Sequence, residues 1–360
     1  MLDLALDEVI FRHPAGFALG PVSLVLPRNT HTVVAGRAGC GASTLLRLIA
    51  GELRPQSGAI RIGTRDVSAL PARRRPLLFV RSFVDAPDRW SVRHLLVAAA
   101  RRRTLDREDR FREIDLAASK WTLTPILDRK LGTLSSSERT LANLAWIELL
   151  KPAILVADRL FEQLNPAEAA AVADDFFRTM RVIGSTVVSA PSTREEIGWS
   201  DLVVVLDDGR VVQQGSAAKI YQSPATASIA AVVTDVNTLP IDVRGGRVDS
   251  PIGSWEVAGA PFQGPGTAVL PVNAFTRVAQ GQESDLIVAV EEAQFHQGRW
   301  RVRAYVTGGV PLCIELPFAH DLHKGRLLAL RCDFGQIRLF PSAEAHPLPA
   351  GTIPPMSETR

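Results

Sequence analysis

A glycine-rich stretch near the N-terminus, VVAGRAGCGASTLLRLIAG (residues 33–51), has the residue types of a loop that binds phosphate. Such loops follow the pattern G-x-x-x-x-G-K-[ST]: backbone N–H groups surround the phosphate, the lysine reaches its outer oxygens, and the hydroxyl holds Mg²⁺. The candidate nucleotide-binding residues of the loop are Gly36, Gly39, Cys40, Gly41, Ser43 and Thr44. Ala42 occupies the position of the lysine, and no lysine precedes Lys120.

Asp158, the acid that ends the apolar run AILVAD, is a second candidate. Hydroxyl and carboxylate oxygens are ligands that Mg²⁺ accepts, so Ser43 and Asp158 are candidate magnesium ligands. The loop alone leaves an alternative open, a glycine-rich strand-to-helix turn that binds no nucleotide. The rest of the chain must decide between the two.

The first two-thirds of the chain alternate strand-like and helix-like segments, which predicts a layered α/β domain. Two apolar runs joined through Asp208-Gly209 predict a hairpin. The predicted strands are residues 30–36, 153–158 and 185–190, the predicted helix after the loop is residues 43–51, and residues 93–150 are mostly helical.

The pattern changes around residues 223–240, and beyond it short alternating strands such as WRVRAYV and LLALRCDF predict a small β-barrel or sandwich. The C-terminal end is rich in proline, and we expect it to be disordered. The predicted domains are an α/β domain over residues 1–228 with a helical subdomain over about 83–150, a β-rich domain over 229–343 and a tail over 344–360.

Composition excludes several classes of protein. The 360 residues carry a net charge of +3, too small to argue for nucleic acid as a partner. No apolar run reaches the roughly 18–20 residues of a membrane span, and the N-terminus lacks the layout of a signal peptide. The three cysteines have no metal-site spacing, which favours a reducing cytosol.

Four further segments resemble ABC-transporter ATPase subunits in their order and spacing. LSSSE resembles the signature motif, ILVADRLFEQLN the Walker B strand with its D-loop, RRRPLLFVRSF the Q-loop region, and LVVVLDDGRVVQQGSAAKIYQSPAT the closing segment of importer ATPases. AVLPVNAFTRV resembles a strand of the C-terminal OB-type (TOBE) domain of the maltose, polyamine and ferric-iron importer group. The resemblance implies an α/β P-loop NTPase domain with a helical subdomain, followed by a small all-β OB-type domain.

The resemblance also implies partners. Such subunits work in pairs at the cytoplasmic face of the bacterial inner membrane, bound peripherally to two transmembrane permease subunits. A solute-binding protein in the complex delivers the solute to these permease subunits. Each ATP lies between the P-loop of one subunit and the signature of the other. The signature residues that would face the partner's site are Ser135, Ser136, Ser137 and Glu138.

Five departures from the family pattern fall on residues that serve hydrolysis in the family. The P-loop lysine, the Q-loop glutamine, the catalytic glutamate, the switch histidine and the D-loop aspartate are replaced by Ala42, Arg81, Arg159, Ala190 and Asn165. The histidines nearest in sequence to the switch position are His94 and His296. Loss of a general base typically costs about 10²–10⁴-fold in rate. We therefore predict no catalytic residue and no turnover at this chain's own Walker site.

Binding of ATP with Mg²⁺ at that site is expected to be weak or absent. Relative to the family, Ala42 removes one positive charge while Arg159 adds two and Arg81 adds one, so the site stays electropositive. Either Arg159 or Arg37 then reaches a phosphate, or Arg159 pairs with Asp158 and fills the empty site. The preferred interpretation is the pairing with Asp158, or weak occupancy by nucleotide. Phe11 is a candidate to stack on adenine, although an aromatic residue in a first strand commonly belongs to the core.

The signature leaves two interpretations. Ser135 keeps the residue type that contacts the partner's phosphate, whereas Glu138 replaces a glutamine and adds a negative charge near an anionic ligand. The segment is either a plain helix cap or an impaired but usable half-site, and the context favours the half-site.

Three functions remain open. The leading hypothesis is a catalytically degenerate importer ATPase subunit, a pseudo-ATPase that forms a heterodimer with an active paralogue. The second is a residually active ATPase whose site has been rewired around its arginines. The third is a regulatory or scaffold protein that works without a permease.

Overall fold

The computed structural model describes residues 3–342, apart from residues 15, 82, 84, 85, 105, 279–281, 297, 307 and 319–321. The chain divides into two compact units, residues 1–225 and residues 226–360. This division lies close to the boundary that the sequence predicts after residue 228. The predicted Pro-rich tail, residues 344–360, lies outside the described residues.

The first unit alternates strands and helices. Its strands are β1 (Leu4–Arg12), β2 (Ala18–Leu26), β3 (His31–Gly36), β4 (Ser57–Ile62), β5 (Arg65–Asp66), β6 (Leu78–Arg81), β7 (Ile154–Asp158), β8 (Thr186–Ala190), β9 (Leu202–Asp207) and β10 (Arg210–Gly215). Its helices are α1 (Ala42–Ala50), α2 (Val92–Ala100), α3 (Arg107–Lys120), α4 (Ser136–Leu150), α5 (Pro166–Ile183), α6 (Glu195–Gly198) and α7 (Ala217–Gln222).

A six-stranded sheet in the order β10-β9-β3-β8-β7-β6 forms the centre of this unit. The strands from β9 to β6 run parallel, and β10 joins the edge antiparallel through the predicted hairpin. The predicted buried strands are β3, β7 and β8, whose side chains are almost all buried. The predicted α/β class is thereby confirmed.

Successive side chains of β7 serve two different cores, because a strand directs alternate residues to opposite faces. Ile154 and Val156 join the cluster that contains α1 and the antiparallel sheet β2-β1-β4-β5. Leu155 and Ala157 join the cluster built by helices α2 to α5. The parallel sheet is therefore covered on both faces, as its continuous apolar strands require.

Helix α1 is held at its C-terminal end by a buried arginine. Gly51 ends the helix in the left-handed conformation at φ 81°. The guanidinium of Arg75 donates to the carbonyl oxygens of Leu48 and Ile49, both at 2.7 Å, in the last turn of the helix, where carbonyl groups lack the full set of intrahelical donors. Burial lowers the pKa of Arg75 to about 10, and the group remains a cation at neutral pH.

The turn between β9 and β10 braces the glycine-rich loop. Asp208 and Gly209 both have positive φ, at 43° and 74°, which is the geometry of the Asp-Gly hairpin turn. The Gly209 N–H donates to the carbonyl of Cys40 at 3.0 Å, and the Gly209 carbonyl accepts the Gly20 N–H at 2.8 Å. A Cβ at position 209 would lie 2.0 Å from the carbonyl oxygen of Ala18.

The second unit is β-rich. Its elements are α8 (Ala227–Val233), β11 (Val236–Arg244), β12 (Arg247–Ser250), β13 (Gly253–Glu256), β14 (Gly264–Pro271), β15 (Phe275–Arg277), β16 (Leu286–His296), β17 (Arg299–Val306), β18 (Pro311–Pro317), β19 (Leu327–Cys332) and β20 (Arg338–Pro341). The predicted strands WRVRAYV and LLALRCDF are β17 and β19.

These strands form two antiparallel sheets, in the orders β13-β12-β11-β14-β20 and β15-β19-β16-β17-β18. Both sheets contribute to one hydrophobic core, for example through Leu239 and Leu270 on one side and Val288 and Val302 on the other. The Asn237 side chain joins the sheets by bonding both backbone groups of Cys313. These two packed antiparallel sheets fit the predicted OB-type domain.

Among the described helices, none combines the length and the apolar composition needed to cross a membrane.

Two buried titratable groups flank the parallel sheet. Glu196 on α6 accepts the N–H groups of Ser192 and Thr193 at 2.7 and 2.9 Å, and burial raises the pKa of its carboxyl to about 7. His31 at the start of β3 stacks on Phe177, and burial lowers the pKa of its imidazole to about 3. The folded state therefore favours the neutral form of both groups.

Gly209→Ala should destabilise the first unit by more than about 2 kcal/mol, because left-handed strain is joined by a clash with the Ala18 carbonyl. Gly184→Ala is the matched control, since Gly184 has a similar φ of 81° and no atom closer than 3.8 Å to the added Cβ. It should lose only about 1–2 kcal/mol. Urea denaturation measures the free energy of unfolding of both variants. Equal losses of this free energy would contradict the proposed support of the loop by the turn.

Glu196→Gln should remove a pH-dependent loss of stability. The folded pKa of about 7 lies above the ordinary value of 4.5, so the folded state holds the proton more tightly and loses stability as pH rises from 4.5 to about 7. The stability of the variant minus that of the wild type should therefore increase over pH 5–7, by at most about 1.4 kcal/mol per pH unit.

His31 contributes a pH dependence of opposite sign, because its contribution to the free energy of unfolding is lost as pH falls below 6.5. Both proteins keep His31, so this contribution cancels in the difference between the variant and the wild type. Glu195→Gln removes an exposed carboxyl from the same helix and should leave the wild-type slope nearly unchanged. A difference curve for Glu196→Gln that stays flat across pH 5–7 would contradict the raised pKa.

Candidate functional site

The carboxyl ends of the parallel strands bring the substituted positions together. Arg81 ends β6, Asp158 ends β7 and Ala190 ends β8, and the strand register pairs Arg81 with Asp158 and Asp158 with Ala190. Adjacent strands lie about 4.8 Å apart, so these residues form one short row. Ligands bind at this edge in open α/β sheets. The glycine-rich loop leaves the same edge after Gly36, the last residue of β3.

The loop keeps the tight turn that its glycines predict. Gly41 is the N-cap of α1 at φ 103°, and Cys40 N–H donates to the Arg37 carbonyl at 2.9 Å. A Cβ at Gly36 would lie 2.2 Å from the Leu206 carbonyl oxygen, so only glycine fits there. A Cβ at Gly41 would lie 2.7 Å from the ring of Phe17.

Three loop side chains are at least partly buried. Ala42, which occupies the position where a phosphate-binding loop carries its lysine, packs against the core between the two sheets. Thr44 is half-buried in the first turn of α1. Cys40 is buried, and desolvation raises the pKa of its thiol, so the sulfur stays a neutral core group. The loop thus offers backbone N–H groups and hydroxyls, with no lysine.

Ser43 and Asp158, the two candidate magnesium ligands, lie in direct contact. The Ser43 hydroxyl donates to Asp158 Oδ1 at 3.0 Å. Within the described residues no cluster of three or more histidine, cysteine or acidic side chains could hold a metal without help. The pair fits a Mg²⁺ that also takes phosphate oxygens, because Mg²⁺ is commonly bound by one or two protein oxygens plus substrate.

Arg159 does not fill the site in the way the sequence suggested. Its Nη1 lies 3.5 Å from Glu162 Oε1, and its side chain is 52% exposed. The interpretation that Arg159 forms an ion pair with Asp158 is wrong. Arg159 has a positive φ of 52° and its N–H donates to the Ala190 carbonyl, so its side chain leaves the row in a different direction from Asp158.

Arg81 is paired with an acid outside the row. Its Nη2 lies 3.2 Å from Glu52 Oε1, and its guanidinium stacks over the ring of Phe79 at 5.6 Å. Glu52 also pairs with Arg47 of α1. Arg81 therefore links the end of β6 to the segment that follows α1.

The switch position contains no histidine, and the nearest imidazole comes from another strand. His31 Nε2 lies 2.8 Å from the Ser189 hydroxyl, a contact that the sequence did not predict. His31 pairs in register with Val187, three residues before Ala190, and it is buried against Phe177. Its backbone therefore lies at the amino end of β3, and its ring is engaged by Ser189 and Phe177.

The segment after β8 is tied to the segment after β7. The Ser192 hydroxyl accepts the Phe161 N–H at 3.1 Å, while the Glu196 carboxylate accepts the N–H groups of Ser192 and Thr193. Asn165, the D-loop position, is the N-cap of α5 and accepts the Glu168 N–H at 2.9 Å. These contacts hold both loops in place without a ligand.

The signature segment forms the start of α4. Ser135 is the N-cap, and its hydroxyl accepts the Glu138 N–H at 3.1 Å. Glu138 Oε2 accepts the Ser135 N–H at 2.8 Å, which completes a capping box. Ser136 and Ser137 are the first two helical residues, whose N–H groups have no acceptor within the helix.

Phe11 lies in the hydrophobic core between the two sheets, with 9% of its surface exposed. Its nearest aromatic neighbour is His13, with ring centroids 6.4 Å apart. The structure thus places this residue in the core environment that the sequence also allowed. Stacking on adenine stays a prediction.

Known proteins share this architecture. The chain is similar to cbiO1 of Clostridium perfringens, part of the cbiONQ ABC transporter complex, with a TM-score of 0.51, 20% identity and coverage of 61% of this chain and 94% of that one. A further solved structure, an ATP-binding subunit of an ABC transporter, matches with a TM-score of 0.53, 21% identity, and coverage of 61% and 91%. At these identities the likeness shows the fold.

Curated relatives match at the sequence level. The sn-glycerol-3-phosphate import ATP-binding protein UgpC of Rhizobium meliloti is 29% identical over 256 residues, 71% of this chain and 72% of the relative. UgpC 3 of Agrobacterium fabrum is 25% identical over 91% of this chain and 94% of the relative. The sulfate/thiosulfate import ATP-binding protein CysA of Mycobacterium tuberculosis H37Rv is 30% identical over 64% of this chain and 68% of the relative.

The family described as ABC transporter matches residues 19–161, from β2 through the glycine-rich loop and the signature to the end of the Walker B region. The matched stretch contains Ala42, Arg81 and Arg159, so the family resemblance persists although these side chains differ from its pattern. Together with the row of residues at the carboxyl edge and the relatives' coverage of both units, this match shows that the chain belongs to the ATP-binding subunits of ABC transporters of the importer type.

Proposed function

We propose that this chain is a catalytically degenerate importer ATPase subunit that pairs with an active paralogous ATPase. In this proposal it binds two transmembrane permease subunits at the cytoplasmic face of the inner membrane and transmits motion for solute uptake. A solute-binding protein delivers the solute. The relatives import sn-glycerol-3-phosphate, sulfate or thiosulfate, and ferric ions, according to their names. None of these solutes is assigned to this chain.

The observation that carries the proposal is the row at the carboxyl edge of the sheet. Hydrolysis requires a group that activates water, and the row contains Arg81, Asp158 and Ala190. Asp158 is the acid of the row, and its Oδ1 already accepts a bond from Ser43. Arg159 is cationic at the position of the family's catalytic glutamate, and a guanidinium cannot accept a proton at neutral pH.

Weak nucleotide binding follows from the loss of the lysine. A hydrogen bond to a charged group contributes about 1.5–3 kcal/mol, so its absence weakens phosphate binding roughly tenfold to a hundredfold. Against this cost, Arg37 is exposed in the loop and the backbone N–H groups retain their turn.

Family members bind ATP together with Mg²⁺, and the bound metal supplies the chemistry of hydrolysis. In this chain the loop N–H groups would hold phosphate, and Ser43 with Asp158 would hold the metal. The start of α4 would present the N–H groups of Ser136 and Ser137 to a nucleotide on the partner subunit. The proposed role therefore uses this chain's signature and leaves its own Walker site without turnover.

The purified chain should show no ATPase activity above background, whereas its complex with the paralogous ATPase and the permeases should hydrolyse ATP. The reason is that only the paralogue's Walker site would contain a water-activating glutamate. Affinity purification of the tagged chain from membranes, followed by phosphate release assays on the chain and on the complex, measures both. Turnover by the isolated chain at the rate of the complex would contradict the proposal.

The same purification separates this proposal from a scaffold protein that works without a permease. Co-purification with two membrane subunits and a second ATPase supports the transport role. Recovery of the chain without any membrane subunit would instead support the scaffold role.

A rewired, residually active site is the second candidate. It is favoured by the half-exposed guanidinium of Arg159, whose contact with Glu162 at 3.5 Å is long enough to exchange for a phosphate. In that case Glu162 is the acid closest to the guanidinium and the first base to test.

Arg159→Ala distinguishes the two candidates through the ATPase rate of the complex. If Arg159 clamps phosphate at an active site, the rate due to this site should fall by about 10²-fold or more. Under the degenerate role, the rate of the complex should change less than about twofold, because an exposed ion pair contributes little. Arg178→Ala, which breaks the exposed pair with Asp174 on α5, is the matched control.

A further inference from the structure

Glu138 places a negative charge at the start of α4, where the proposed partner nucleotide would meet this chain. A helix N-terminus carries roughly half a positive charge, and a full carboxylate at its third residue more than offsets it. Left alone, this carboxylate would repel an anionic phosphate. Its side chain is only about one-third exposed, so solvent screens it incompletely.

Arg129 lies against this carboxylate. Its Nη1 is 2.7 Å from Glu138 Oε1, while the other carboxylate oxygen, Oε2, accepts the Ser135 N–H at 2.8 Å. The hydrogen bond from the Ser135 backbone is the largest cause that lowers the pKa of Glu138, and the Arg129 charge adds to it. Glu138 is therefore ionised, and its charge is neutralised on the side opposite the helix cap.

Other contacts hold the position of Arg129. Its Nη2 donates to the Thr133 carbonyl at 2.6 Å, and its backbone carbonyl accepts the Val92 N–H at 3.1 Å at the start of α2. The guanidinium thus bridges the segment before the signature and the third residue of α4. It keeps the carboxylate turned toward the Ser135 backbone, beside the N–H groups of the first helical residues, which have no acceptor within the helix.

We propose that Arg129 is a positioning residue for the signature half-site, which neutralises Glu138 and lets α4 accept the phosphate of a nucleotide bound to the partner subunit. This inference rests on the proposed function, since it requires a partner that supplies the nucleotide. It turns the substitution of glutamate for glutamine from an impairment into one half of a compensated pair. The ligand is the terminal phosphate of a nucleoside triphosphate.

The test is the dependence of the complex's ATPase rate on the concentration of MgATP. Arg129→Gln leaves Glu138 without its cation, so KM for MgATP should rise about five- to tenfold while kcat changes less than twofold. The double variant Arg129→Gln/Glu138→Gln removes both charges, and KM should return to within about twofold of the wild type. A role for Arg129 in local folding alone predicts no such recovery.

Arg93→Gln is the matched control. Arg93 pairs with Asp128, the residue before Arg129, at 2.8 Å, and this pair does not touch α4. Its loss should leave KM unchanged. An unchanged KM for Arg129→Gln, or a double variant that stays as impaired as the single one, would overturn the inference.

Glu138→Gln alone keeps the inference testable if Arg129→Gln fails to assemble. The amide keeps an acceptor for the Ser135 N–H and carries no charge, so KM should equal or fall below that of the wild type. A rise in KM as large as that expected for Arg129→Gln would overturn the inference. Failure of the proposed function is distinguished with the wild-type chain, which would then either hydrolyse ATP by itself or form no ATP-hydrolysing complex.

Discussion

Close packing of the glycine-rich loop against neighbouring backbone is the constraint on which the rest of the site depends. Gly36 has the Leu206 carbonyl at its side, and Gly209 of the β9–β10 turn lies against Ala18 while bonding Cys40. Any side chain at Gly36 or Gly209 would displace an adjacent strand. The turn is therefore required by the fold whether or not a nucleotide binds, and its glycines alone do not indicate nucleotide binding.

The side chains that depart from the family pattern have found partners within this chain. Arg81 pairs with Glu52, Arg159 with Glu162, Glu138 with Arg129, and Asn165 caps α5. All of these contacts are at least partly exposed, and exposed ion pairs contribute little to stability. A ligand can therefore compete with them at small cost. The bond between Ser43 and Asp158 differs, because Asp158 is buried and stays in place.

The sequence predicted the fold well because its signals are local. Buried strands of five or six mostly apolar residues, a helix closed by Gly51 and an Asp-Gly hairpin each follow from short-range chemistry, and each is found in the structure. The row at the carboxyl edge did not follow from these signals, because it depends on the order and register of strands that are far apart in sequence. The partners of the long cations did not follow either, because an arginine can reach acids on several elements. Arg159 was predicted to form an ion pair with Asp158, and it pairs with Glu162 instead.

The sequence by itself determined the class of the protein and the order of its two domains. It also determined that lysine, glutamate and histidine are absent from the positions where the family uses them, since residue identity at a motif position needs no coordinates. Tertiary structure alone decided what those positions do instead. It aligned Arg81, Asp158 and Ala190 in one row, brought the imidazole of His31 beside Ser189, and set Arg129 against Glu138. Each of these depends on register or on side-chain direction, which arise only when strands and helices pack together.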